Sequence, residues 1–402
     1  MIRKIFYGWW IVLACFFLSL YVGSVIFYGF TAFFEPLVRE FGWSYTQISL
    51  AASLRGLEMG LFAPLIGFLA DRFGSRRLIF SGVIVVGFGL LLLSFTRSLV
   101  MFYGSFLLLA FGAGGATSVV TMAVVGNWFK KKVGVALGVM MSGFGASGLL
   151  VPVIVRLIDT YNWRNTLVAL GLGMWALGIP LSFVIRNRPE QYGYLPDGTP
   201  SGEQAPSTDI EDRAVEIGLK EVLKDKSFWY LNIAESIRFM TLAAVVTHVM
   251  PYLSSTGMSR ATTGLVAGGI PLVSIVGRFG LGWLGDVLDK RYVMATAFVL
   301  MSLGMVAFGY VQVTWPVFLF LLLFSSGSGG GMVLRGAILR EHFGRGSLGK
   351  LLGITMGSAS IGGIIGPTVA GWAFDTWGSY HLIWFVFCGT ICLAIGLILK
   401  IR

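Results

Sequence analysis

The chain has 402 residues, of which 56% are hydrophobic and only 12% charged, with a mean hydropathy of +0.81. That composition excludes an ordinary soluble domain and a disordered chain, and points to a membrane protein. The net charge of +11 would suit nucleic acid, but its placement along the chain argues against that partner and for a lipid bilayer.

A spanning helix needs about 20 apolar residues. Apolar runs predict twelve spans, at 8–34, 46–70, 78–96, 99–127, 133–157, 165–186, 227–253, 261–285, 292–311, 315–339, 347–374 and 379–399. Lipid offers the backbone no hydrogen bonds, so an all-α membrane protein is expected. The first run is long and lacks a small-residue cleavage site, so it reads as a retained span. Many of the 55 glycines fall inside spans, where small residues let helices approach closely. Residues 1–186 form an N-terminal six-helix half and 227–402 a C-terminal one, joined by a cytoplasmic linker at 187–226. The linker is rich in Pro, Gly and Ser at first and is expected to be mobile there. Glu216 to Lys226 carries apolar residues at helical spacing and predicts a short interfacial helix.

With both termini on one side, that side collects Arg3, Lys4, Arg72, Arg76, Arg77, Lys130 to Lys132, Lys290, Arg291, Arg340, Arg345, Lys350, Lys400 and Arg402, together with six Lys or Arg between Arg186 and Lys226. The opposite loops hold only Arg39, Arg97, Arg156, Arg164 and Arg260. The bias places both termini in the cytoplasm, with the plasma (inner) membrane as the expected site. Cys15, Cys388 and Cys392 lie within spans and read as inert thiols, with no disulfide or metal spacing.

The two halves echo each other. Gly67, Leu69 and Asp71 match Gly282, Leu284 and Asp286, an offset of 215 residues. Phe129, Gly138 and Pro152 match Phe343, Gly353 and Pro367. Two parallel six-span repeats, pseudo-symmetric in sequence, describe a carrier that rocks one half against the other. The motif that holds Gly67, Asp71, Arg72, Gly74, Arg76 and Arg77, with Asp286 and Arg291 in the second copy, reads as a cytoplasmic latch in preference to a substrate site. An Asp at a helix end can meet a neighbouring helix N-terminus, and the Arg residues can meet carboxylates or headgroups.

Charges inside spans are costly and mark function by default. They are Arg55 and Glu58, Glu235 and Arg238, Arg278 and Arg335. Arg278 precedes Asp286 by eight residues, about 12 Å into the span, with Ser274 one turn before it. A guanidinium fork there suits a carboxylate. The competing reading is an ion pair with Glu235 or Glu58. Arg335 could bind a second carboxylate, draw anions inward, or pair with Glu341. Arg55 with Glu58 and Glu235 with Arg238 repeat an i, i+3 spacing: each is either a self-neutralising pair or the home of a proton-carrying carboxylate, with Glu235 the better candidate unless an Arg holds it ionised. His248 either gates or relays a proton, or is a satisfied helix-end residue. No phosphate loop, metal cluster or activated nucleophile appears, so neither an enzyme nor a cofactor is expected. A carrier-derived sensor would look the same in sequence.

These features resemble the major facilitator superfamily, and within it the monocarboxylate transporter and oxalate/formate exchanger branch. The Gly67–Arg77 motif carries the superfamily likeness. The branch likeness rests on Tyr7-Gly8-Trp9-Trp10, Asn127-Trp128-Phe129-Lys130-Lys131-Lys132, His248-Val249-Met250-Pro251-Tyr252 and Gly277-Arg278-Phe279-Gly280. The resemblance implies a symporter for a small organic anion, a monocarboxylate such as lactate or pyruvate, moving with a proton by alternating access. Substrate would lie near Tyr28, Thr117, His248, Ser274, Arg278 and Arg335, and a single chain would act as a functional monomer. Tyr28 stands where animal members of the branch carry Lys, and Ser274 where they carry Asp. Lys350, at the start of span eleven, is the only Lys in that span, where oxalate exchangers carry one. These departures leave exchange of dicarboxylates or phosphate esters, using Arg278 with Arg335, as an alternative.

Overall fold

The computed structural model describes residues 6–56, 60, 62–117, 119–198, 219–311, 314–344 and 348–401, and every regular element among them is helical. The spans are α1 (Tyr7–Phe41), α2 (Tyr45–Leu54 and Ala63–Phe73), α3 (Ser75–Ser94), α4 (Leu99–Trp128), α5 (133–161), α6 (163–184), α7 (Lys226–Ser255), α8 (Arg260–Val287), α9 (Lys290–Gly309), α10 (Thr314–Phe343), α11 (Leu348–Trp377) and α12 (His381–Leu399). Among the described residues ten helices are by length and composition able to cross a membrane. One of them, Val133–Val184, runs 52 residues and reverses at Asn162, whose φ of 67° divides it into α5 and α6. The two pieces of α2 supply the remaining span. Large apolar side chains such as Phe279, Trp283, Phe318 and Leu393 are exposed on the helix exteriors, as lipid contact requires.

Polar residues just before the spans start several of them. Ser44 and Gln47 form a reciprocal capping box on α2. Ser98, Asp225, Ser259 and Asp289 cap α4, α7, α8 and α9 through the backbone N–H two or three residues on.

The chain divides into two compact units. One holds Met1–Gly29 and Leu57–Asp209; the other holds Phe30–Gly56 and Ile210–Arg402. In the first unit, a Cβ on Gly82 would strike the backbone of Gly112 and Ala116, so α3 and α4 touch there, and Gly143 of α5 lies against the Phe16 carbonyl of α1. Two spans, α1 from Gly23 in the first unit to Phe33 in the second and α4 within the first, have breaks inside them. α1 passes through a π turn at Gly23–Tyr28 and a 3₁₀ turn at Phe30–Phe33, and α4 becomes extended at Thr117.

The described part of the linker, 187–198, is docked on the first unit, where the sequence suggested mobility. Trp128 Nε1 donates to the Arg186 carbonyl at 2.9 Å, and the Arg186 guanidinium lies 4.1 Å from the Tyr7 ring and 4.2 Å from that of Tyr192. Asp197 then accepts the backbone N–H groups of Lys130, Lys131 and Lys132 at 2.9, 2.8 and 3.3 Å. Hydropathy misses this docking because aromatic stacking and a carboxylate on free amides need no apolar run. The expected interfacial helix is described only as a turn at Leu219–Val222; the residues before it lie outside the description.

In the second unit glycines again set helix spacing. A Cβ on Gly277 would collide with the Ser326 carbonyl, and one on Gly329 with the Ser274 carbonyl, so α8 and α10 meet backbone to backbone. Gly362 and Gly366 of α11 similarly abut the Ser236 and Met240 carbonyls of α7. Residues 30–56, which precede the first half's later spans in sequence, pack in this unit. Asp375 at the end of α11 accepts the Tyr45 and Thr46 N–H groups at 2.9 and 2.8 Å, capping α2. Arg260 Nη1 pairs with Glu35 at 2.9 Å, and Ser53 bonds Thr368 at 2.9 Å.

Two outcomes follow from these contacts. Gly277→Val forces α8 off α10 and should cost about 1–3 kcal/mol, read as a lowered melting temperature of the detergent-purified protein; an unchanged melt would remove the backbone contact. Burial pushes the Asp197 carboxyl up, but the N–H groups of Lys131, Lys130 and Lys132 and the charge of Lys131 outweigh it and hold it below the usual range. Its contribution is therefore present at neutral pH and lost only as pH falls below about 4. At neutral pH, Asp197→Asn should speed limited tryptic cleavage after Arg186; equal rates in both proteins would show that the carboxylate does not hold the linker.

Candidate functional site

On α7, Asn232, Glu235, Arg238 and Thr241 recur every three residues and form one buried polar stripe. Arg238 grips Glu235 side-on: Nε donates to Oε1 at 2.9 Å and Nη2 to Oε2 at 2.8 Å. Its third nitrogen, Nη1, donates to the Ser328 carbonyl of α10 at 3.1 Å. The stem fits because residue 331 is glycine: a Cβ there would stand 2.8 Å from Arg238 Cδ. From α10, Arg335 Nη1 reaches the same Glu235 Oε2 at 3.4 Å. Glu235, Arg238 and Arg335 are 0%, 2% and 6% exposed, so the cluster is interior. The sequence pairing of Glu235 with Arg238 is thus present, and Arg335 joins it. Glu341, the alternative partner for Arg335, pairs instead with Lys290 at 2.7 Å.

Arg278 is half-buried on α8, nine residues before that helix ends at Val287. Ser274, one turn earlier, is buried and turns its hydroxyl to the Pro271 carbonyl at 2.7 Å. The depth of Arg278 relative to Arg335 follows from helix register. Gly277 abuts Ser326, Leu281 abuts Gly330 and Gly285 abuts Leu334, so α8 and α10 run parallel and in step. Gly282 against Val333 and Gly329 against Ser274 set slightly larger offsets, so Arg335 lies level with residues 280–286, about 3–12 Å along the axis from Arg278 toward Val287.

His248 sits elsewhere, thirteen residues along α7 from Glu235, about 20 Å by helical rise. It is fully buried. Nε2 lies 2.9 Å from the Pro367 carbonyl and 3.0 Å from Ser49 Oγ, and Nδ1 lies 2.8 Å from Tyr380 Oη. The Pro367 carbonyl can only accept, and the Ser49 hydroxyl donates to the Tyr45 carbonyl at 2.5 Å, so Nε2 carries a hydrogen shared by Pro367 and Ser49. Arg55 is also fixed: Nε donates to the Ala52 carbonyl at 2.8 Å, Nη2 to Thr247 Oγ1 at 3.1 Å, and the guanidinium lies 5.3 Å from the Phe30 ring centroid. Glu58 lies outside the described residues.

Two candidates belong to the first unit, each at a break in its span. Tyr28 ends the π turn of α1, where Ser24 accepts the Gly29 N–H at 2.7 Å. Thr117 is buried in the extended break of α4 and donates its hydroxyl to the Ala113 carbonyl at 2.8 Å. Irregular backbone at membrane depth is tolerated where it is enclosed by protein or lines a cavity, and π turns recur at functional sites.

The residues read from the sequence as a latch fall in both units. Gly74 has a φ of 84°, a conformation that favours glycine, and the Arg76 N–H just beyond it donates to Asn187 at 2.8 Å. Nothing crowds Gly67. Arg72 is exposed beside Phe73, Arg76 lies over Phe183, and Arg77 is exposed. The Asp71 side chain lies outside the description. In the second unit Asp286 is exposed, while Arg291 takes Asp289 at 2.7 Å and the Ile401 carbonyl at 2.7 Å, tying the start of α9 to the chain's end. The side-chain bond and backbone N–H of Arg291 hold the Asp289 carboxyl below the usual range. Asp289 and Asn187 are partners of these residues that the sequence reading did not single out; Asp289 had a legible signal as a helix cap.

Removing Arg238 leaves Glu235 with one long ion pair in the core. Arg238→Ala should cost about 3–5 kcal/mol of stability, measured as loss of monodisperse protein on heating. A near-neutral effect would mean that Glu235 does not depend on it.

The profile of the Major Facilitator Superfamily matches residues 9–259 and 236–402. Monocarboxylate transporter 13 of Bos taurus is 27% identical over 395 residues, covering 96% of this chain and 87% of its own. Monocarboxylate transporter 12 of Mus musculus is 27% identical over 405 residues, covering 95% and 82%. In fold, the chain superposes on a crystal structure of the nucleoside transporter NupG with a TM-score of 0.76 at 12% identity, covering 98% of this chain and 100% of that one. A profile match across both halves, on a bundle of apolar spans, makes this chain an integral membrane protein of the Major Facilitator Superfamily.

Proposed function

We propose that this chain is a secondary active transporter that moves a small organic anion, a monocarboxylate such as lactate or pyruvate, by alternating access. The observation that carries the reading is Arg278: a guanidinium on α8, about two turns inside the span, whose neighbours one turn away on that helix, Ser274 and Gly282, are uncharged. A carboxylate matches that fork in charge and shape. Relatives named monocarboxylate transporters, alike over nearly the whole chain, support the same class. The six-helix halves, 1–186 and 227–402, are the moving bodies of one functional monomer, with both termini in the cytoplasm and the plasma (inner) membrane as its location.

The finer part of the proposal is symport with a proton. Glu235 is engaged by two guanidiniums and His248 by three partners. Loading either group with a proton breaks existing contacts, which links proton uptake to a change of packing. Glu58 is the third group the sequence offers.

Radiolabelled lactate uptake into proteoliposomes tests both parts. Wild-type protein should accumulate lactate, faster under an inward proton gradient, with unlabelled pyruvate competing. Arg278→Lys should lower uptake by at least about tenfold while the protein stays folded, since one point charge replaces a two-bond fork. Full uptake in that variant removes Arg278 from the binding role, and uptake indifferent to the gradient removes the proton.

A further inference from the structure

The charges of the α7–α10 cluster do not cancel. Two guanidiniums, Arg238 and Arg335, face the single carboxylate of Glu235, leaving one positive charge in the helical interior. Arg238 occupies both carboxylate oxygens at 2.9 and 2.8 Å. Arg335 reaches Oε2 only at 3.4 Å, longer than a strong charge-assisted bond. Its Nε is buried with no hydrogen-bond partner among the described residues, although the side chain is only 8% exposed. A buried guanidinium with an unused donor is expensive to maintain in a low-dielectric interior unless an anion completes it. Because Nη1 is turned to Glu235, the opposite edge, Nε with Nη2, is the one left for a ligand.

We infer that Arg335 is a second anion site, taking one small carboxylate on its Nε–Nη2 edge while Glu235 and Arg238 hold the guanidinium in place. With that anion bound, the cluster carries two positive and two negative charges. The site lies about 3–12 Å along the helix axis from Arg278, toward the Val287 end of α8, and takes its anion on its own guanidinium edge. An anion moving between that end and Arg278 meets Arg335 as an intermediate station. This placement rests on the proposed role of Arg278; the binding chemistry at Arg335 does not.

Pyruvate and acetate serve as probes, with binding read as concentration-dependent thermal stabilisation of the purified full chain in chloride-free buffer. Arg278→Gln should retain a saturable pyruvate response, and Arg278→Gln with Arg335→Gln should lose it. Glu235→Gln leaves two guanidiniums without a carboxylate, so its pyruvate affinity should rise by roughly tenfold. That rise separates a binding site from a structural ion pair, whose loss lowers the melting temperature without strengthening the anion response. It also carries the test where Arg335→Gln does not fold. A response abolished by Arg278→Gln alone, with unchanged affinity in Glu235→Gln, overturns the second site and leaves the transport proposal standing. No response to either probe in wild-type protein or in Glu235→Gln overturns both.

Discussion

Charge held in a medium that cannot solvate it is the constraint on which this molecule turns. In lipid or a helical core, each ionised side chain must find a counter-charge or a dipole from a neighbouring span. Glu235 finds Arg238 one turn along α7 and Arg335 across on α10. Arg238 in turn takes the Ser328 carbonyl, so the cluster fastens α7 to α10 as well as neutralising most of its own charge. Polar residues that would be unremarkable on a soluble surface become the joints of the second unit.

Those joints need close backbones. Gly331 admits the Arg238 stem, and Gly277 and Gly329 bring α8 onto α10 carbonyl to carbon. Without a hydrophobic force between helices in lipid, such contacts and interhelical hydrogen bonds carry association. The same step-for-step packing fixes the depths of Arg278 and Arg335. The positions of the two Arg residues along their helices are thereby tied to where small residues allow α8 and α10 to meet.

Residues 30–56 are fastened by smaller joints. They are held in the second unit by Asp375 on the first amides of α2, by Glu35 on Arg260 and by Ser49 on His248. Each is a small polar contact at a helix end or along a helix face, and none is a broad apolar surface. The docked start of the linker shows the same economy in the first unit, with one carboxylate on three amides.

Apolar length and the price of buried charge are local properties, and the sequence by itself determined what depends on them. The helical class, the two-fold repeat, the span positions and the unusual charges at Glu235, Arg238, Arg278 and Arg335 were all legible there, because about 20 apolar residues or a lone Arg in a span mean the same in any neighbourhood. Asn162, Ser259 and Asp289 owe their turn and caps to local chemistry of the same kind, although the sequence reading did not assign them. Only the tertiary structure decided the partners. It gave Arg335 to Glu235 and Glu341 to Lys290, surrounded His248 with Tyr380, Pro367 and Ser49, and docked a Pro- and Gly-rich linker that composition marked as loose. The reason is geometric. A partner is set by which helix faces which, and in what register, and small-residue contacts between spans distant in sequence leave no periodic trace in either span alone.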